Sequence, residues 1–119
     1  MKLVTYLHDG AQAVGMLSPD GGAVQPLPFP SMQALIEAGA LPDPAPAGDP
    51  LPLEAVTLLA PIPHPRQDVI CLGINYRDHA EEAARYSSDA FRKERPVPIY
   101  FSKRVTEAVA PGGFIESHP

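Results

Sequence analysis

Residues 69–82, Val-Ile-Cys-Leu-Gly-Ile-Asn-Tyr-Arg-Asp-His-Ala-Glu-Glu, decide how this chain is read. The run Asp68–Ile74 is apolar without alternation, which predicts a strand buried on both faces. Asn75 ends it and predicts a helix cap. The helix then runs from Tyr76 to about Tyr86, with Asp78 where a first-turn carboxylate is favourable. At helical spacing His79 and Glu82 lie about 60° apart on one face. A carboxylate beside an imidazole fixes its tautomer and raises its basicity, which is how a histidine becomes a general base. A His–Glu pair on a charged first turn also fits plain solvated surface, and the residues alone leave both readings open.

Outward from this junction, residues 87–95 are polar and loop-like, and Val97–Ser102 (VPIYFS) predicts a further strand. Pro111-Gly112-Gly113 predicts a turn into a strand at Phe114-Ile115-Glu116. Toward the amino terminus, Val56–Leu59 predicts a short strand. Residues 41–53 alternate proline with small residues and predict an extended linker. Met32, Leu35 and Ile36 recur at helical spacing behind Ser31, an N-cap residue, and ahead of Gly39, a natural stop. Leu3–Leu7, Ala13–Leu17 and Ala23–Gln25 read as a three-stranded meander, turned at Asp9-Gly10 and at Ser18–Gly22. The expected domains are a small β domain over 1–40, a Pro-rich linker over 41–55 and a second domain over 56–119.

Composition narrows the function. The 119 residues are 45% hydrophobic and 19% charged, against disorder and against a coiled coil. No apolar run reaches the ~18–20 residues of a membrane span, and the start is unlike a signal peptide. One cysteine, Cys71, excludes an internal disulfide and a cysteine zinc site and fits a reducing, cytoplasmic compartment. A net charge of −5 gives no reason to expect nucleic acid. Charge is uneven: residues 1–65 hold Lys2 against six acids, and residues 66–119 hold eight bases and eight acids.

Other chemistries fit less well. There is no HExxH, and His79 with Glu82 gives too few ligands for zinc. Gly73 stands alone rather than in a phosphate-cradling GxGxxG, and Cys71 is expected inside a strand with no base nearby.

With those residues in view, Val69–Glu82 resembles the catalytic-domain entry of the fumarylacetoacetate hydrolase family, where an apolar strand leads into G-x-N-Y-x-x-H-x-x-E. Pro98–Lys103 (PIYFSK) is similar to that family's aromatic strand and F-x-K element. Residues 110–115 (APGGFI) resemble the glycine turn and strand that follow, and Met1–Gly39 looks like the small amino-terminal β domain of many bacterial members. Arg104 stands where members often have proline.

The resemblance implies a mostly β (α+β) fold: a small meander domain with one helix, then the first strands and lid helix of a β-roll. It implies that His79 is the general base, that Glu82 pairs with it to activate water, and that Lys103, Tyr76 and Arg77 line the substrate site. The substrate would be a β-diketo or 2-oxo acid such as an acylpyruvate, cleaved at a carbon–carbon bond. Decarboxylase and isomerase activities are the alternatives within the family. A divalent metal, Mg²⁺ or Mn²⁺, is implied as Lewis acid. The family's carboxylate ligands, an E-x-E pair and a later aspartate, have no counterpart here, since Glu107 and Glu116 stand alone. The chain is therefore expected to be the amino-terminal part of such an enzyme, inactive alone, exposing apolar edge strands and belonging to a homodimer. The competing expectations are a non-catalytic assembly module and one half of a split enzyme.

Overall fold

Asp9 and Gly10 take φ values of 49° and 79°, the two positive angles a two-residue type I′ turn requires. They close strand β1 (Lys2–His8) onto β2 (Ala11–Leu17), antiparallel, with His8 opposite Ala11 and Lys2 opposite Leu17. These coordinates are a computed structural model describing residues 1–39, 41, 43–76, 78, 81–82, 85 and 98–117. The next turn is held by its own side chains. The Ser18 hydroxyl donates to the Asp20 carboxylate and accepts from the Ala23 amide (3.0 Å), while the Gly22 amide donates to Asp20 (3.1 Å). The Ser18 and Gly22 bonds hold the Asp20 carboxyl below its usual range.

Strand β3 (Ala23–Pro26) pairs with β2, so the expected meander is present. The sheet does not stop there. Leu51–Pro52 forms β4 against β3, a 3₁₀ turn follows at Leu53–Ala55, and Thr57–Leu58 forms β5 against β1. The five-stranded order is β4-β3-β2-β1-β5. The segment expected to be a linker thus supplies one edge strand, and the strand expected to open the second domain supplies the other. Proline tolerates this because an edge strand has one side without a partner. The Gln25 side chain donates to the Gly48 carbonyl (2.9 Å) and the Ala47 amide to the Pro26 carbonyl (2.8 Å), which ties the proline-rich stretch to β3.

Helix α1 (Met32–Glu37) has the expected ends: the Ser31 hydroxyl accepts from the Ala34 amide at 3.1 Å, and Gly39 leaves the helix at φ 62°. Met32 and Leu35 are buried with Val14 and Leu27, and Leu3, Phe29 and Ile62 pack around them. Ile36, expected on the same face, is exposed; in a helix this short only the Met32–Leu35 side meets the sheet.

The register puts Thr5 and Val14 on the face that receives α1, because directly opposed residues share a face. The Thr5 hydroxyl, nearly fully buried, donates to the Pro61 carbonyl at 2.6 Å. The other face carries Tyr6 and Val24, both buried, and burial pushes the Tyr6 phenol up. They meet over Gly15, where an added Cβ would lie 2.3 Å from Val24 Cγ1 and 3.0 Å from Tyr6 Cε1.

Two compact units result, Met1–Pro65 with Thr106–Pro119, and Arg66–Val105. In the second, β6 (Val69–Gly73) pairs antiparallel with β7 (Ile99–Lys103). The expected strand at Phe114–Glu116 is absent, and Phe114 and Ile115 are exposed with no pairing partner to make a ladder. Among the described residues the chain is mostly β, with no helix long and apolar enough to cross a membrane.

Gly15→Ala is expected to cost about 1–3 kcal/mol in a urea titration, since backbone and core atoms must shift to admit the methyl. Gly22→Ala, whose Cβ would meet only the Asp20 side chain at 3.5 Å or beyond, is expected to stay within about 0.5 kcal/mol of the parent.

Candidate functional site

The second unit starts from an apolar strand that finds one partner. Cys71 faces Phe101, Leu72 faces Tyr100 and Gly73 faces Ile99. Alternation places Ile70, Leu72 and Tyr100 on one face of the pair, at 67%, 46% and 65% exposure. Burial on both faces, expected for β6, is therefore not found. A two-stranded ladder satisfies backbone groups along one edge only and brings no second layer to cover a face. Exposed apolar strands, by contrast, are what the sequence led one to expect. Cys71 is a free, half-buried thiol whose sulfur lies 3.8 Å from the Val69 carbonyl oxygen.

Beyond Gly73 the backbone takes an uncommon course. Ile74 has φ 49°, a left-handed conformation that brings a β-branched side chain into conflict with its own backbone and costs about 1–3 kcal/mol. Asn75 and Tyr76 follow and are not helical, whereas Asp78, Glu81, Glu82 and Arg85 are. Asn75 is therefore not the helix cap: the helix begins at least one residue later than the sequence implied. The left-handed residue accounts for the delay, since the chain must first turn out of the strand.

Glu82 is helical and exposed, and Tyr76 is exposed in the bend that precedes the helix. His79 and Arg77 lie outside the described residues, as does the expected loop over 87–95. Lys103 is exposed at the end of β7, opposite Val69. Tyr76 follows the other end of the ladder, where Gly73 faces Ile99. Four residue steps of about 3.4 Å separate the two ends, so the pair does not bring Lys103 beside the strand exit.

Among the described residues no three His, Cys, Asp or Glu side chains come together to hold a metal ion. The implied Mg²⁺ or Mn²⁺ therefore has no fit there, because either ion takes several oxygen ligands in near-octahedral order. The first unit carries a groove of about 340 Å³ that the sequence did not signal, lined by Gln12, Leu59, Pro63, His64, Glu107 and Val109 among others. His64 is oriented there: a carbonyl can only accept, so Nδ1–H donates to the Thr106 oxygen at 3.1 Å and Nε2 is the remaining ring nitrogen. The turn residues Pro61–Pro65 that shape this groove carry no motif in the sequence.

No protein-family model matches the chain. Among curated proteins, an oxaloacetate tautomerase of Bacillus subtilis (strain 168), YisK, is 41% identical over 66 residues, covering 56% of this chain. The matched part is 20% of that relative, so the chain spans about a fifth of the length of the protein it is similar to.

The exposure of β6 gives a direct check. Ile70→Lys is expected to change the unfolding free energy of this chain by no more than about 0.5 kcal/mol, and to reduce self-association in sedimentation. A loss of about 2 kcal/mol or more would mean that Ile70 is covered.

Proposed function

We propose that this chain belongs to the fumarylacetoacetate hydrolase family, a reading supported by its motif and by the 41% identity to the tautomerase, and that its 119 residues are the amino-terminal part of an enzyme acting on a 2-oxo acid. In this reading His79 and Glu82 form the proton-handling pair. The observation that carries it is the match to a tautomerase of oxaloacetate together with Glu82, helical and exposed three residues after His79. A tautomerase moves a proton between the carbon beside a carbonyl and the carbonyl oxygen. Such a step needs a base of near-neutral pKa, and an imidazole steadied by a carboxylate is one.

His79 would take the C3 proton of the oxo acid as the electron pair left behind forms the C2–C3 double bond. The carbonyl oxygen then carries the charge as an enolate and takes up a proton to give the enol. Glu82 holds the imidazole in the tautomer that leaves its reacting nitrogen open. Carbon–carbon cleavage of an acylpyruvate also releases an enolate, with His79 drawing the proton from water instead. The tautomerase relative favours the isomerase form of the reading over the hydrolase form. The metal expected from the resemblance has no fit among the described residues. The rest of the site, the β-roll and the homodimer belong to the same proposal.

A second reading has its own observation. The exposed Ile70, Leu72 and Tyr100 also suit a non-catalytic module that assembles through its strand pair. Turnover separates the two. In the whole protein with oxaloacetate, His79→Ala is expected to lower kcat by about 100- to 10,000-fold, with a smaller loss for Glu82→Gln. Unchanged turnover in His79→Ala removes the catalytic assignment.

A further inference from the structure

Among the described residues two non-glycine positions have positive φ, Asp9 and Ile74. Asp9 sits in a hairpin turn that demands the angle, and Asp accepts it readily. Ile74 has neither excuse. It closes no hairpin, and isoleucine is among the residues least suited to the left-handed region. A local choice that contradicts its backbone in this way is characteristic of a functional or strained site.

Two features hold Ile74 there. On its amino-terminal side Gly73 is fixed in the ladder opposite Ile99, whose Cβ and Cγ2 lie 3.6 Å from where a Gly73 Cβ would be. Ile74 itself is half-buried, as Gly73 is, whereas Asn75 and Tyr76 after it are exposed. Relaxation to an ordinary strand angle would redirect everything that follows, including the helical residues Asp78, Glu81 and Glu82. We infer that Ile74 is a positioning residue: its left-handed backbone sets the direction in which the chain leaves β6 and so aims the helical residues that include Glu82. Glycine would permit the angle without enforcing it, because it populates both signs of φ and has no side chain to anchor. Asparagine accepts the left-handed region at little cost and retains a side chain.

The inference rests on the reading of His79 and Glu82 as the reacting pair, and its test has two arms in the whole protein. The first is thermal melting. At an ordinary position alanine outlasts glycine, whereas at a strained positive φ the order reverses. Ile74→Gly and Ile74→Asn are expected to melt above Ile74→Ala. The second arm is turnover of oxaloacetate. Ile74→Gly is expected to lower kcat about tenfold with KM held within about twofold, the signature of misdirected groups rather than lost binding. Ile74→Asn is expected to restore kcat to within about threefold of the parent, a rescue that lost packing alone would not produce. Alanine melting above glycine overturns the strain, and full kcat in Ile74→Gly overturns the positioning role. Unchanged turnover in His79→Ala instead defeats the catalytic reading and leaves the melting order standing on its own.

Discussion

The left-handed pair Asp9–Gly10 fixes the register between β1 and β2, and most of the first unit depends on that register. A slip of one residue would exchange the two faces of each strand, moving Val14 away from Leu35 and Tyr6 away from Val24. With His8 held opposite Ala11, neighbouring residues at the sheet centre serve opposite faces. Thr5 and Val14 meet the helix side, while Tyr6 and Gly15 meet the side of Val24. This is why Thr5 and Tyr6 are both buried although adjacent. The Thr5 hydroxyl offsets its own burial by bonding to Pro61, and the Leu59 amide reaches the Thr5 carbonyl at 2.9 Å. The centre of β1 thereby draws the residues around β5 onto the sheet.

The second unit has the same pairing physics without a second layer. Strands β6 and β7 satisfy one another along one edge, yet their apolar side chains are left exposed. The candidate chemistry leaves from this uncovered pair through Ile74, a residue that opposes its own backbone. Stable packing and the candidate residues are thus divided within the chain: the first unit supplies the dense core, and the second carries Tyr76, Glu82 and Lys103.

How much of this the sequence revealed depended on how local the cause was. Asp9-Gly10, the serine–glycine turn at Ser18–Gly22, and the Ser31 and Gly39 ends of α1 are short-range chemistry, and each is found where it was expected. The β4 pairing was hidden because Leu51–Pro52 has no alternation and meets Val24 and Ala23 across more than twenty-five positions of chain. The continuous apolar run of β6 suggests burial, but burial also needs a covering layer, which no run of residues specifies by itself. Ile74 could not be foreseen as left-handed, since its side chain argues for an extended angle. Of the candidate site, the sequence identified the motif, and the structure supplies a helical Glu82, an exposed Tyr76 and a Lys103 at the far end of the ladder. The groove beside His64 arises from carbonyl contacts of Pro63 and Thr106, which no motif announces.

The central claim is that the protein containing this chain handles the proton beside the carbonyl of a 2-oxo acid. Proton NMR of oxaloacetate in D₂O, with and without the whole protein, tests it most directly. The account predicts that the C3 proton signal is lost to deuterium faster than in buffer, and that this acceleration disappears when His79 is alanine. Exchange at the buffer rate, or an acceleration indifferent to His79, would contradict it.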